Sequence, residues 1–157
     1  MFEPGYTLGG CKILGICGSG AFGKVFLAED ALGQHVAIKL FFGANNEEKT
    51  LDSLRQYIAL PPSPHLLRIF HFGHENGQLF YVMEAADNAG EEGRYVPDTL
   101  ALRVKRNGHL SAEEAIATCQ AMADALGTLH KAHLVHRDIK PDNVLFVNGV
   151  PNLSDPD

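Results

Sequence analysis

The pattern of apolar and polar positions changes character about halfway along the chain. The first part reads as strands with one helix. Residues 8–16 and 24–29 predict strands on either side of a glycine cluster. Asp30-Ala31-Leu32-Gly33 predicts a turn, and 34–41 a third strand rich in apolar residues. Over 45–60, Leu51, Leu54 and Ile58 recur at helical spacing. Asn45 or Asn46 is the expected cap, with Glu47 and Glu48 favourably placed in the first turn. Pro61, Pro62 and Pro64 end that helix. Residues 67–72 and 78–84 predict a hairpin turned by Asn76-Gly77.

The second part reads mainly as helix. Residues 87–97 are polar and glycine-containing and predict a loop; Asp98 is the expected cap of a short helix through Arg106. Ser111-Ala112-Glu113-Glu114 has the form of a capping box and opens a long helix over 112–132. Ile116, Cys119, Ala123, Leu126 and Leu129 give that helix an apolar stripe. A strand over 144–147, an Asn148-Gly149 turn and a last strand over 151–154 follow. Five strands with one helix, then helices, predict two lobes joined near 84–86: an N-terminal unit over 1–86 and a second over 87–157.

Composition narrows the class. The chain has 157 residues, 45% hydrophobic and 20% charged, the mix of a soluble globular domain. A net charge of −6 supplies no basic stripe and argues against nucleic acid as partner. Three cysteines, Cys11, Cys17 and Cys119, have no metal spacing and fit a reducing compartment. No apolar run approaches the ~20 residues of a membrane span. The expected setting is cytoplasmic. His136, between Val135 and Arg137, reads as a packed core histidine, and the other histidines have no ligand spacing.

Three motifs carry chemistry. Gly18-Ser19-Gly20-Ala21-Phe22-Gly23 is a G-x-G-x-x-G element with Val25 two residues beyond and strands on both sides. Dinucleotide-binding motifs must instead open a helix. Its glycines let backbone amides approach triphosphate oxygens. Ala37-Ile38-Lys39 puts a cation in an apolar strand, where phosphate oxygens would offset its burial. His136-Arg137-Asp138-Ile139-Lys140-Pro141-Asp142-Asn143 places a base, Asp138, a cation, Lys140, and a hard amide oxygen, Asn143, within eight residues. Arg137 is expected to anchor this loop. Asp155, at the end of a predicted strand, is a second metal-binding candidate.

Together these residues resemble the eukaryotic-type (Hanks-type) serine/threonine protein kinases, over nearly the whole chain. The resemblance implies an α+β, two-lobe fold: a five-stranded antiparallel sheet with one helix, then a mainly helical lobe of which part is here. It implies ATP and Mg²⁺ as cofactors and a protein bearing serine or threonine as substrate. By the same likeness Met83 is the gatekeeper, and the backbone at Glu84 and Ala86 hydrogen-bonds adenine. Val25 and Ala37 cover the ring, and Leu145 lies beneath it. Lys39 positions phosphates, Asp138 receives the proton, Lys140 stabilises the transferring group, and Asn143 and Asp155 hold metal.

Three departures qualify the likeness. The family's glutamate on the first helix falls near Ser53, with Asp52 and Glu48 as neighbouring substitutes. Its Asp-Phe-Gly becomes Asp155-Pro156-Asp157. The segments that would follow are not in this chain, so the helix stripe is expected to lie bare, favouring poor stability or self-association. Two other readings compete: a pseudokinase that binds nucleotide without transfer, and a small-molecule kinase of related fold. Lys140-Pro141 leans against the latter.

Overall fold

Gly9 and Gly10, with φ of 58° and 81°, break the expected first strand in two. In the computed structural model, which describes residues 2–20, 23–43 and 47–154, β1 (Thr7–Leu8) turns through these glycines into β2 (Cys11–Gly20). The sheet therefore has six strands, where the pattern predicted five. Its other members are β3 (Gly23–Glu29), β4 (His35–Phe41), β5 (Ile69–Glu75) and β6 (Gln78–Glu84). The order is β1-β2-β3-β4-β6-β5, every pair antiparallel. β2 outruns its predicted end by four residues, because two bulges, at Ile13/Gly15 and Ile16/Gly18, keep it paired with β3 as far as Gly20↔Gly23.

β4 lies between β3 and β6 and buries Val36 to Leu40 without interruption. Its alternate residues serve two cores. Val36, Ile38 and Leu40 pack with Leu8, Ile13, Phe26 and Val82. Ala37 faces the other core, with Leu54, Tyr57, Tyr81 and Met83. Burying a side chain such as Phe26 or Ile38 stabilises by roughly 1.5–3 kcal/mol. Helix α1 (Glu47–Ile58) starts and ends inside its predicted limits, and its expected asparagine caps lie outside the described residues. It buries Leu54 and Tyr57, not Ile58. Tyr57 takes the inner position because its hydroxyl donates to the Leu67 carbonyl at 2.7 Å. The β5–β6 turn is Asn76-Gly77 as expected, both residues left-handed.

Helix α2 (Leu100–Asn107) is capped by Thr99, whose hydroxyl accepts from Leu102 N at 3.0 Å. The expected cap, Asp98, instead grips Arg103 with both oxygens, at 2.9 and 2.7 Å. The Arg103 guanidinium then lies 3.4 Å above the Phe146 ring. Helix α3 (Ala112–Lys131) opens on the capping box: Glu114 N donates to Ser111 Oγ, and Ser111 N to the Glu114 carboxylate. The predicted stripe is displaced. Thr118, Ala121, Ala125 and Leu129 are buried, while Ile116, Cys119 and Ala123 face outward. The small alanines let α3 approach the hairpin β7 (Val144–Val147) and β8 (Val150–Leu153) closely.

The hairpin ties the two parts of the chain together. Leu67 N donates to Leu153 O, and Leu153 N to His65 O. On the other side Asp87 N donates to Phe146 O, and Phe146 N to Asp98 O. Among the described residues no helix is long and apolar enough to cross a membrane.

Candidate active site

The loop between α3 and β7 is held by hydrogen bonds. Leu134 N returns to Leu129 O, and His133 and Arg137 take left-handed backbone (φ 60° and 66°) to turn the chain. His136 is buried, as expected. Asp138 N donates to its Nδ1 at 3.3 Å, so Nε2 carries the ring proton and donates to Ser154 O at 2.6 Å. This one imidazole connects the loop to the end of β8. Arg137, expected to anchor the loop, has an exposed side chain.

Asp138 is the centre of a polar knot. Its Oδ2 accepts from Lys140 Nζ at 2.7 Å and from Asn143 Nδ2 at 3.0 Å. The same amide nitrogen reaches the Asp138 carbonyl at 2.8 Å. Asn143 is buried on a short 3₁₀ turn, Pro141–Asn143, that begins on proline. Its side-chain nitrogen is committed to Asp138, and the other end of the amide is the side-chain oxygen Oδ1. Ser154 closes the knot, donating from both N and Oγ to Asn143 O at 2.9 and 3.1 Å. The Lys140 hydrogen bond holds the Asp138 carboxyl below its ordinary value; burial opposes this, and the Asn143 amide adds to the lowering. Asp155, the expected second metal ligand, lies outside the described residues, as does the Asp155-Pro156-Asp157 departure.

Lys39 is buried on β4, in register with Val25 on β3 and Tyr81 on β6. Its Nζ stands 5.3 Å from the centre of the Phe41 ring. The suggested substitute for the missing helix glutamate, Asp52, is turned to solvent and bonded to Arg55 at 3.0 Å; Glu48 is exposed as well. The inner position of this turn is taken by Leu54.

Val25, Ala37, Met83 and Leu145 come together in one apolar cluster. The glycines divide by role. A Cβ on Gly23 would lie 2.1 Å from the Leu40 carbonyl oxygen, so this glycine is demanded by β4 itself. A Cβ on Gly20 would meet nothing, and one on Gly18 only Val25 at ordinary contact. Glu84 is the last residue of β6 and Ala86 lies just beyond it, with Glu84 N bonded to Arg68 O at 3.0 Å and Ala86 buried.

Two further residues stand in this region, and the second was not legible in the sequence. Cys17 donates weakly to Val25 O at 3.5 Å, and burial pushes its thiol up to about 11. Tyr95 donates to Ala86 O at 2.8 Å from within the polar loop. No periodicity marks a tyrosine that returns across a loop.

The protein kinase domain family matches residues 11–155. The chain is 32% identical over 161 residues to an Aurora kinase of Schizosaccharomyces pombe, covering 99% of this chain and 40% of that protein. It is 31% identical over 140 residues to the serine/threonine-protein kinase PrkC of Bacillus subtilis, covering 86% and 20%. A variant of the Mycobacterium tuberculosis PknI kinase domain superposes with a TM-score of 0.81 at 24% identity, over 99% of this chain and 62% of that one. The chain thus belongs to the protein kinase family and has its fold, and it spans less than half the length of these curated relatives.

Proposed function

We propose that this chain carries the nucleotide-binding and phosphoryl-transfer apparatus of a serine/threonine protein kinase. The reaction moves the γ-phosphoryl group of ATP to a serine or threonine hydroxyl of a protein substrate. The observation that carries the reading is the knot at Asp138. With Oδ2 fixed by Lys140 and Asn143, the remaining carboxylate oxygen is presented to an incoming hydroxyl and takes its proton.

The other residues take roles that their surroundings support. Lys39, on a central strand, positions phosphate oxygens, and the open space at Gly20 admits them to the backbone amides of the glycine loop. Lys140 Nζ, beside the base, stabilises charge on the group in transfer. The adenine ring lies between Val25 and Ala37 on one side and Leu145 on the other, with Met83 behind it. Its edge is read by the Glu84 carbonyl and the Ala86 N–H, at a hinge between a lobe over 1–86 and a lobe over 87–157. The donors fit magnesium: the Asn143 amide oxygen, together with Asp155, is a hard oxygen set. That ion, when bound, neutralises phosphate charge. The compartment suited to this chemistry, and to free thiols, is the cytoplasm.

A second reading, nucleotide binding without transfer, draws on the first helix, where Asp52 is spent on Arg55. Radiolabelled ATP with a generic basic protein separates the two. Transfer that is lost in Asp138→Asn, with stabilisation by Mg-ATP retained, supports the kinase reading. Stabilisation without transfer in the unmodified protein favours the second. No stabilisation at millimolar nucleotide sinks both.

A further inference from the structure

The segment 87–98 leaves the hinge and comes directly back to it. Ala89 N donates to Val96 O and Asp98 N to Asp87 O, at 2.8 and 2.9 Å. Asn88 Oδ1 accepts from both Gly90 N and Val96 N, at 2.8 and 3.0 Å. Arg106, from α2, donates to Ala89 O at 2.8 Å. The Asp87 carboxylate accepts from Asn148 N and Gly149 N at the β7–β8 turn, both at 2.7 Å. Gly90 has no room for a side chain, since its Cβ would lie 2.1 Å from Arg94 O. The segment is a built strap.

Its product is the position of Tyr95. The strap and strand residues Ile16, Cys17 and Leu27 line a cavity of about 540 Å³. At this wall Tyr95 is half-buried and donates to the Ala86 carbonyl at 2.8 Å. Burial first, then the neighbouring Cys17 and Asp87, push the phenol above its ordinary value, so it remains a donor.

Base edges differ in order. Adenine offers a donor at N6 and an acceptor at N1, which fit the Glu84 carbonyl and the Ala86 N–H. Guanine offers an acceptor at O6 and a donor at N1. It can be read only one step further along, by the Ala86 N–H and the Ala86 carbonyl. We propose that Tyr95 sets base specificity, by occupying the Ala86 carbonyl and so excluding the guanine register while leaving the adenine register untouched. This rests on the nucleotide reading above, and it is discrimination by obstruction of the wrong ligand.

A carbonyl oxygen has two lone pairs. Tyr95→Phe therefore tests the hydrogen bond, and Tyr95→Ala the bond and the ring together. Mg-GTP and Mg-ATP affinities are measured by titration on the 157-residue chain and both variants, with melting curves alongside. The expected result is a rise of about tenfold in GTP relative to ATP in both variants, the scale of the one hydrogen bond that each removes. A ratio within about twofold of the unmodified protein in both variants overturns the proposal while leaving the nucleotide site intact. Loss of both nucleotides in both variants assigns Tyr95 a purely structural role and also overturns it. An unmodified protein that binds neither nucleotide overturns the functional reading, and this inference with it.

Discussion

Lys39 sits in a central strand, with Ile38 and Leu40 buried beside it and β3 and β6 bonded on either side. Asp138 sits in a loop outside any ladder, held by Lys140, Asn143 and the imidazole of His136. One position is defined by packing and the other by hydrogen bonds. Packing is shared among many neighbours, so disturbing the Lys39 strand unsettles the fold. The bonds at Asp138 are few and local, so disturbing them alters the chemistry with little effect on the fold.

Asp138→Asn is the strongest test of this difference. It keeps the shape of the side chain but removes the base. Transfer is expected to fall about 10²–10⁴-fold, the usual worth of general base catalysis, with a melting temperature close to that of the unmodified protein. A large drop in melting temperature would show that the loop supports the fold, and the contrast would be lost. Ile38→Ala is the counterpart on the strand. Ile38 has no exposed surface, and its truncation is expected to cost about 2–5 kcal/mol in urea denaturation.

The glycine loop offers a sharper form of the same comparison, because it contains both kinds of position. Gly23→Ala drives a Cβ into the Leu40 carbonyl and is expected to destabilise by about 1–3 kcal/mol. Gly20→Ala meets open space and is expected to stay within about 0.5 kcal/mol in stability, while weakening Mg-ATP binding. Equal stability losses would mean that the glycines share one structural role.

The strand around Lys39 was readable because burial leaves an apolar run. The Asp138 loop was readable because its chemistry fixes residue types at fixed spacing. What escaped lay between these signals. The break at Gly9-Gly10 was hidden inside an apolar stretch. The inner face of α3 was misplaced because small alanines, not the larger Ile116, meet the β7–β8 hairpin. The cap of α2 was shifted by one residue because Asp98 has a better partner in Arg103. Thr99→Ala is therefore expected to cost about 1 kcal/mol, the worth of an N-cap. Asp98→Asn, which keeps the shape of that side chain but weakens its hold on Arg103, should leave helical content near α2 unchanged by circular dichroism. The Tyr95 strap left no trace in the pattern, since its bonds run from single side chains, Asp87, Asn88, Tyr95 and Arg106, to backbone groups at no regular spacing.

The smallest expected effect is on acid titration, and it tests whether Lys140 is what fixes the base. Lys140, with Asn143 second, holds the Asp138 carboxyl below its ordinary 3.8. Because the folded value is depressed, the stabilisation it brings is present above the unfolded value. It is lost as pH falls through the folded one. The base likewise stays ionised to lower pH than a free carboxyl would. Lys140→Met keeps the stem and removes the cation, so the Asp138 value should rise toward 3.8 and the acid limb of both stability and transfer should move to higher pH. The side chain is 36% exposed, so solvent screening keeps this displacement small. A ¹³C titration of the Asp138 carboxyl in the two proteins reads it directly. Unchanged titration would mean that the Asn143 amide alone orients the carboxylate, and that Lys140 acts on the transferring group and not on the base.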